Sequence, residues 1–128
     1  MTRQPLNVLL VDDDPHSAAI FKLLMEHYGF PHAVAETPLI ALDYLNDHKP
    51  DVVVIDLFLP GMDGFQAFVR IREMMRGANC RLIATTAYYT NDTYHKVIDF
   101  GFDGYIPKPF IEDTFFDALY GQPVNNGG

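Results

Sequence analysis

Three aspartates, one threonine and one lysine are the residues of this 128-residue chain whose types could do chemistry together. Asp12 and Asp13 follow a short apolar run, Asp56 lies at the end of a second, Thr86 ends a third, and Lys108 follows a fourth. Carboxylates held close together repel one another unless a cation lies between them, and carboxylate oxygens are ligands that Mg²⁺ prefers. A dication, a hydroxyl and an ammonium group in one place are suited to holding the oxygens of a phosphoryl group during in-line transfer.

The elements that must position these residues can be predicted from the hydrophobic pattern. Apolar runs predict strands, and each is followed by a stretch that could form a helix; the strands are expected at 6–11, 32–35, 51–57, 80–86 and 104–107. This alternation predicts an α/β fold, (βα)₅, in which a doubly wound parallel five-stranded sheet has helices on both faces. Ligands bind at the carboxyl ends of the strands in such sheets, so the five residues should meet at one rim.

Several of these residues also have a purely structural interpretation. Asp14, which precedes a proline, is interpreted as a helix N-cap and not as part of the site. Thr86 alone would be an ordinary strand residue, and Lys108 alone would be a surface lysine. Pro107 has no N–H to donate to a ladder, so the last strand is expected at an edge of the sheet. Capping does not explain why Asp56 should lie beside the acids of the first strand.

Composition limits the function classes. The net charge is −8, with 17 acidic and 9 basic residues, which argues against direct nucleic-acid binding because that needs a basic face. Cys80 is the single cysteine, so no internal disulfide can form, as expected for a reducing compartment. No apolar run approaches the length of a membrane span, and the first residues lack the pattern of a signal peptide. A cytoplasmic protein that does not contact membranes is expected.

Four motifs resemble those of the receiver domains of response regulators. They are Val11-Asp12-Asp13-Asp14-Pro15, Asp56 with Leu59-Pro60-Gly61-Met62-Asp63-Gly64, Thr86-Ala87, and Lys108-Pro109-Phe110. The resemblance covers essentially residues 6–120 and implies a flavodoxin-like fold with sheet order 2-1-3-4-5. It implies a receiver domain at 1–121, and the residues 122–128 are expected to form a disordered tail.

The resemblance also implies roles for the candidate residues. Asp56 would accept a phosphoryl group from a phosphohistidine on a sensor histidine kinase or a histidine phosphotransfer protein. Asp13 and Asp56 would ligate Mg²⁺, with Mn²⁺ as the alternative ion, together with the backbone carbonyl of Phe58; Asp12 would help through water. The domain would not be an enzyme in the ordinary sense, because it would phosphorylate itself and show at most slow autophosphatase activity.

A switch is implied by the same resemblance. Thr86 and Lys108 would contact the phosphoryl oxygens, and Tyr105 would move from an exposed to a buried position. These movements would change the surface formed by the fourth helix, the fifth strand and the fifth helix, which would control binding of a downstream protein or output domain, or formation of a homodimer. The Lys108–Pro109 peptide bond is expected to be cis.

Two bulky residues depart from what many members of that family carry. Phe58 lies two residues after Asp56, and Tyr88 lies two residues after Thr86. Both positions would flank the approach of water to a phosphoryl group, so slow hydrolysis is one hypothesis. The other interpretation is that the two side chains merely pack on each other.

Aromatic residues crowd the region of the predicted fourth helix. They are Tyr88, Tyr89, Tyr94, Phe100 and Phe102. If several are exposed, they would indicate a protein-docking patch, because aromatic residues are enriched at interfaces.

Parts of the sequence pattern are compatible with two other functions. A phosphatase of the haloacid-dehalogenase type would use Asp12 and Asp14, but it leaves Asp56 without a role and lacks room for a further acidic motif after Lys108. A phosphorylation-independent pseudo-receiver would act only by protein contact, and the retained acids, Thr86 and Lys108 count against it.

Overall fold

The computed structural model describes residues 4–59, 61–88 and 90–121. The predicted tail at 122–128 lies outside these residues. The described elements alternate strictly along the chain: β1 (Val8–Val11), α1 (Pro15–Tyr28), β2 (His32–Ala35), α2 (Pro38–Tyr44), β3 (Val52–Asp56), α3 (Gly64–Met74), β4 (Arg81–Thr86), α4 (Asn91–Phe100), β5 (Gly104–Pro107) and α5 (Glu112–Tyr120). The five strands form one parallel sheet in the order β2-β1-β3-β4-β5, which confirms the predicted fold.

Strand boundaries differ from the prediction by one or two residues. The predicted first strand begins at Leu6, whereas the ladder begins at Val8. Asn7 and Asp51 pair outside the ladder: Asn7 N–H donates to Asp51 Oδ2 at 2.8 Å, and Asp51 N–H donates to Asn7 O at 2.8 Å. Because the apolar runs extend slightly beyond the paired residues, the hydrophobic pattern alone overestimates strand length.

Helix starts follow the capping signals in the sequence. Asp14 is the N-cap of α1, and its side chain accepts a hydrogen bond from His16 N–H at 3.1 Å, as predicted. Thr37 caps α2 in the same way. Asp63 and Gln66 form a reciprocal capping box at the start of α3, which satisfies two backbone N–H groups that a helix start leaves free.

Each face of the sheet has its own hydrophobic core. One core lies under α2, α3 and α4, and the other under α1 and α5. The central strand β3 is buried along its whole length, as its near-continuous apolar run predicted. The sheet is therefore covered on both sides, and its polar chemistry is confined to the strand ends.

The edge position of β5 accommodates Pro107. β5 pairs with β4 alone, and Lys108 N–H donates to Thr86 O at 3.1 Å. Successive residues of a strand direct their N–H groups to opposite sides, so the nitrogen of Pro107, one residue earlier, faces the open edge, where no donor is needed. The Lys108–Pro109 peptide bond is cis, as expected. Across the described part of the chain, every helix is too short or too polar to cross a membrane.

Candidate functional site

Three strand ends bring two acids and one base together. Asp12 follows β1, Asp56 ends β3, and Lys108 follows β5. Lys108 Nζ lies 2.8 Å from Asp12 Oδ2 and 2.9 Å from Asp56 Oδ2. The three side chains are between 0 and 8% exposed. The predicted meeting of these residues at one rim is thus confirmed, and their charges interact with little solvent screening.

Two buried carboxylates in this cluster depend on one ammonium group. Asp56 Oδ2 accepts a hydrogen bond from Lys108, and Asp12 Oδ1 accepts one from Asp14 N–H at 2.9 Å. Asp12 Oδ2 is buried, and its partner is the Lys108 ammonium group at 2.8 Å, which Asp56 Oδ2 shares at 2.9 Å. One ammonium group balances only one of these two buried carboxylates, so a further cation would be stabilising here, because a buried charge without compensation is costly.

A third acid completes a set of possible metal ligands. Asp12, Asp13 and Asp56 each offer one carboxylate oxygen, and these oxygens lie within 4.8 Å of one another. Asp13 is exposed while the other two are buried, so an ion held here would keep an open side towards solvent. An all-oxygen donor set of this kind suits Mg²⁺, which usually retains several waters.

The electrostatics of the cluster follow from burial and pairing. Burial raises the pKa of the Asp12 carboxyl from 3.8 to about 6; Lys108 and the N–H of Asp14 oppose this rise, and the Asp56 carboxylate adds to it. Burial alone would lower the pKa of Lys108, but its interactions with Asp12 and Asp56 raise it above its ordinary value. The ammonium group is therefore fully charged at neutral pH, whereas ionisation of Asp12 is costly without further positive charge.

Metal-free protein is expected to lose stability as the pH rises from about 4 to about 6. In this interval the folded Asp12 carboxyl, with its pKa of about 6, retains a proton that the unfolded chain, with a value near 3.8, has released; raising the pH therefore favours unfolding. The Asp12→Asn variant should lack this slope and should gain about 1–3 kcal/mol in free energy of unfolding at neutral pH. Urea unfolding in EDTA at a series of pH values measures both effects.

The control for this prediction is Asp47→Asn, in the exposed turn after α2. It should keep the pH dependence of the wild type. An Asp12→Asn variant that keeps the wild-type slope between about pH 4 and about pH 6 would contradict the assignment of that slope to Asp12.

The predicted switch residues Thr86 and Tyr105 lie on the neighbouring strands β4 and β5. Thr86 is fully buried, and its hydroxyl oxygen accepts a hydrogen bond from Tyr88 N–H at 3.0 Å. Tyr105 is half-buried, and its hydroxyl donates to Thr86 O at 3.4 Å. Tyr105 is therefore already linked to the backbone of Thr86 in this conformation.

The two bulky residues next to the site contact each other. The rings of Phe58 and Tyr88 meet edge to face, with centroids 5.7 Å apart and planes at 88°. They nevertheless remain 60% and 77% exposed. The two rings do pack on each other, which is compatible with both interpretations, and the pair lies at the solvent side of the loops that follow Asp56 and Thr86. Phe58 N–H also donates to Asp56 Oδ1 at 3.0 Å, which fixes the second oxygen of that carboxylate.

A glycine allows α3 to begin against the strand end that carries Asp56. A Cβ atom on Gly64 would lie 2.5 Å from Asp56 O and 2.5 Å from Leu57 Cα, both of them backbone atoms. Gly64 N–H donates to Leu57 O at 3.0 Å. The glycine is needed here for space and not for a left-handed backbone.

Two contacts were not predicted from the sequence. Asp14, expected only to cap α1, also places Oδ2 at 3.8 Å from Lys108 Nζ while it accepts a hydrogen bond from Ser17 Oγ at 2.8 Å. Thr85, treated only as part of a strand, is fully buried and donates from its hydroxyl to Ile106 O at 2.6 Å. The one sequence feature that could have indicated this bond is the position of Thr85, a polar residue at the end of an apolar run.

The aromatic residues near α4 divide between core and surface. Tyr88, Tyr94 and Phe100 are 77%, 54% and 45% exposed, whereas Phe102 is buried. Tyr89 lies outside the described residues. Val97 is the fully buried hydrophobic residue of α4, so this helix has few core anchors, as its polar sequence predicted.

Comparison with known proteins gives one consistent family. The sequence model for response regulator receiver domains matches residues 8–120. A chemotaxis protein CheY from Halobacterium salinarum is 31% identical over 112 residues, which are 88% of this chain and 92% of that protein. A probable C4-dicarboxylate response regulator, DctR from Priestia megaterium, is 33% identical over 121 residues, 93% of this chain and 52% of that protein. The chain thus spans about half the length of the second relative.

Solved structures share the fold. The receiver domain of a sensor histidine kinase from Pseudomonas aeruginosa PAO1 superposes with a TM-score of 0.78 at 23% identity, covering 91% of this chain and 95% of that one. That domain was crystallised with a magnesium ion coordinated in its active-site cleft.

Proposed function

We propose, since the chain belongs to the family of response regulator receiver domains of two-component signalling, that it accepts a phosphoryl group on Asp56 from a phosphohistidine donor. The observation that carries this proposal is the placement of Asp56. One oxygen of its buried carboxylate accepts a hydrogen bond from Lys108. The carboxylate also offers an oxygen within 4.8 Å of carboxylate oxygens of Asp12 and Asp13, so the three could bind one metal ion. This arrangement supports phosphoryl acceptance by Asp56. Helix capping or simple exposure to solvent would not explain why the three acids lie together.

The transfer itself is a displacement at phosphorus. A carboxylate oxygen of Asp56 forms a bond to phosphorus, the bond from phosphorus to the donor imidazole nitrogen breaks, and the leaving imidazole takes up a proton from solvent. Lys108 lies next to Asp56, so its ammonium group is placed to neutralise charge on the incoming phosphoryl oxygens. Thr86, at the end of the neighbouring strand, would donate its hydroxyl to another of these oxygens.

Asp12, Asp13, Asp56 and the backbone carbonyl of Phe58 would hold the metal, which we propose is Mg²⁺, with Mn²⁺ as the alternative. The ion would supply positive charge that allows the carboxylates and the phosphoryl oxygens to approach one another. The two buried carboxylates that share one ammonium group and the all-oxygen donor set support this assignment. The magnesium ion in the related receiver domain from Pseudomonas aeruginosa supports it as well.

The output would be a change in the surface formed by α4, β5 and α5. Phosphorylation adds charge and strong acceptor oxygens, which would draw Thr86 and Lys108 towards Asp56 and move Tyr105 inward. The exposed Tyr94 and Phe100 on α4 would provide aromatic contacts for a downstream protein, an output domain or a second copy of the chain.

The domain would act as a stoichiometric acceptor with at most slow autophosphatase activity. Residues 1–121 would form this receiver unit in the cytoplasm, where a sensor histidine kinase or a histidine phosphotransfer protein would meet it. The acidic net charge of −8 supports a protein partner over a nucleic acid.

Phosphorylation by acetyl phosphate with Mg²⁺, followed by intact-protein mass spectrometry, tests this function. The wild type should gain one phosphoryl group, Asp56→Asn should gain none, and EDTA should prevent the reaction. The control Asp47→Asn should behave as the wild type. Labelling that survives in Asp56→Asn but is lost in Asp12→Asn would favour the phosphatase alternative, and no labelling of the wild type would favour the pseudo-receiver.

A further inference from the structure

One buried polar side chain of the described residues has no role in the site as derived so far. The buried polar residues are Asp12, Ser17, Asp56, Thr85 and Thr86. Three of these belong to the candidate site, and Ser17 donates to the N-cap Asp14. Thr85 remains, and burying a hydroxyl is costly unless it forms a good hydrogen bond.

Thr85 lies where the strands that carry the site meet. In the sheet register it is opposite Asp56 on β3 and opposite Ile106 on β5. Its backbone carbonyl accepts a hydrogen bond from Leu57 N–H at 3.0 Å, next to Asp56. Its hydroxyl donates to Ile106 O at 2.6 Å, two residues before Lys108. One residue therefore connects the strand of the acceptor carboxylate to the strand of the lysine.

The hydroxyl bond adds a side-chain contact to a short edge strand. β5 has four residues, lies at the edge of the sheet and pairs with β4 alone. A distance of 2.6 Å is short for an O–H···O hydrogen bond, and water does not reach Thr85, which is 0% exposed. A bond of this kind resists fraying of an edge strand more than the same bond at the surface would, because no solvent replaces it when it breaks.

We propose that Thr85 is a positioning residue for the phosphoryl-transfer site: its hydroxyl holds the Lys108 end of β5 in register against β4 and so keeps the Lys108 ammonium on Asp56. This inference rests on the function proposed above. The Thr85 hydroxyl donates to the backbone of β5 and not to a carboxylate of the site, so it acts through Lys108. Its position between Asp56 and Ile106 makes the 2.9 Å contact of Lys108 with Asp56 dependent on the register of two strands.

The experiment compares Thr85→Val, Thr85→Ser and Thr114→Val. Valine has nearly the shape of threonine and lacks the hydroxyl, so the fold is retained, and serine keeps the hydroxyl. Thr114 is a matched control, because its hydroxyl also donates to a backbone carbonyl, that of Ile111 at 3.2 Å, but on α5. Two quantities are measured: the rate of phosphorylation by acetyl phosphate at saturating Mg²⁺, and hydrogen exchange of the Lys108 backbone amide.

We expect Thr85→Val to be phosphorylated about fivefold more slowly, as loss of one buried hydrogen bond from the aligned state implies, with faster exchange at the Lys108 amide. Thr85→Ser should restore both quantities, and Thr114→Val should leave both unchanged. A Thr85→Val protein with the wild-type phosphorylation rate overturns the inference, even if it is less stable.

Failure of the proposed function gives a different result. In that case the wild type itself is not phosphorylated, and the amide exchange decides the inference. Exchange at Lys108 that is faster in Thr85→Val and restored in Thr85→Ser supports the positioning of β5, and exchange equal to that of the wild type overturns it.

Discussion

Replacing Lys108 with methionine is expected to lower the free energy of unfolding by about 3 kcal/mol in metal-free buffer at neutral pH. The ammonium group lies within 3.8 Å of carboxylate oxygens of Asp12, Asp14 and Asp56, and the Asp12 and Asp56 side chains are 0% and 7% exposed. Methionine keeps most of the volume but leaves these acids without their cation. Chemical unfolding in EDTA measures the loss.

The dependence of this stability loss on Mg²⁺ and on pH distinguishes the electrostatic effect from a loss of packing. Mg²⁺ should stabilise Lys108→Met more than the wild type, because the dication then meets the acids without a competing ammonium group. Acidification should also reduce the difference, since protonation removes the uncompensated charges. The control Lys49→Met is at an exposed residue whose ammonium group donates to Leu45 O at 3.1 Å, and it should change stability by less than about 1 kcal/mol. A loss in Lys108→Met that is the same with Mg²⁺, with EDTA and at low pH would contradict the charge argument.

Replacing the aromatic pair Phe58 and Tyr88 by small polar residues is expected to shorten the lifetime of a phosphoryl group on Asp56 at least about tenfold, which corresponds to about 1.4 kcal/mol of activation free energy. The two rings lie edge to face across the loops that follow Asp56 and Thr86, where a hydrolytic water would approach. Phe58→Asn combined with Tyr88→Ser would open this approach and offer hydrogen bonds to the water. Loss of label after removal of the phosphodonor measures the lifetime.

Tyr94→Ser provides the comparison for this effect. Tyr94 is also an exposed aromatic residue, 54% accessible, but it lies on α4. It should leave the lifetime unchanged. If the double variant of Phe58 and Tyr88 retains the wild-type lifetime, the pair only packs on itself, which is the simpler of the two interpretations made from the sequence.

The sequence could predict the features that depend on the direction of the strands and on the periodicity of apolar residues. Asp12, Asp56 and Lys108 could be placed together because each lies at or directly after the end of a strand of one parallel sheet, whose carboxyl ends share a rim. The N-cap role of Asp14 follows from local spacing. The contact of Asp14 with Lys108 does not, since it joins side chains 94 positions apart whose approach depends on how the α1 start and the β5 end pack.

The register between neighbouring strands could not be predicted from the hydrophobic pattern either. Alternation and apolar runs predict that β4 and β5 are strands, but they do not predict that Thr85 lies opposite both Asp56 and Ile106. The same limit explains the strand boundaries. Asn7 and Asp51 interact through a side-chain carboxylate beside the ladder, and hydrophobic periodicity contains no information about such a bond.

The start of α3 has a consequence for anyone who alters this protein. The backbone of Asp56 occupies the space that a side chain at position 64 would need. Any residue larger than glycine would therefore clash here, even one with a high helix propensity. The exchange of Gly64 for alanine, a common way to stabilise a helix, would push β3 and α3 apart. The rings of Phe58 and Tyr88, in contrast, face solvent, and their side chains can change without displacing the backbone.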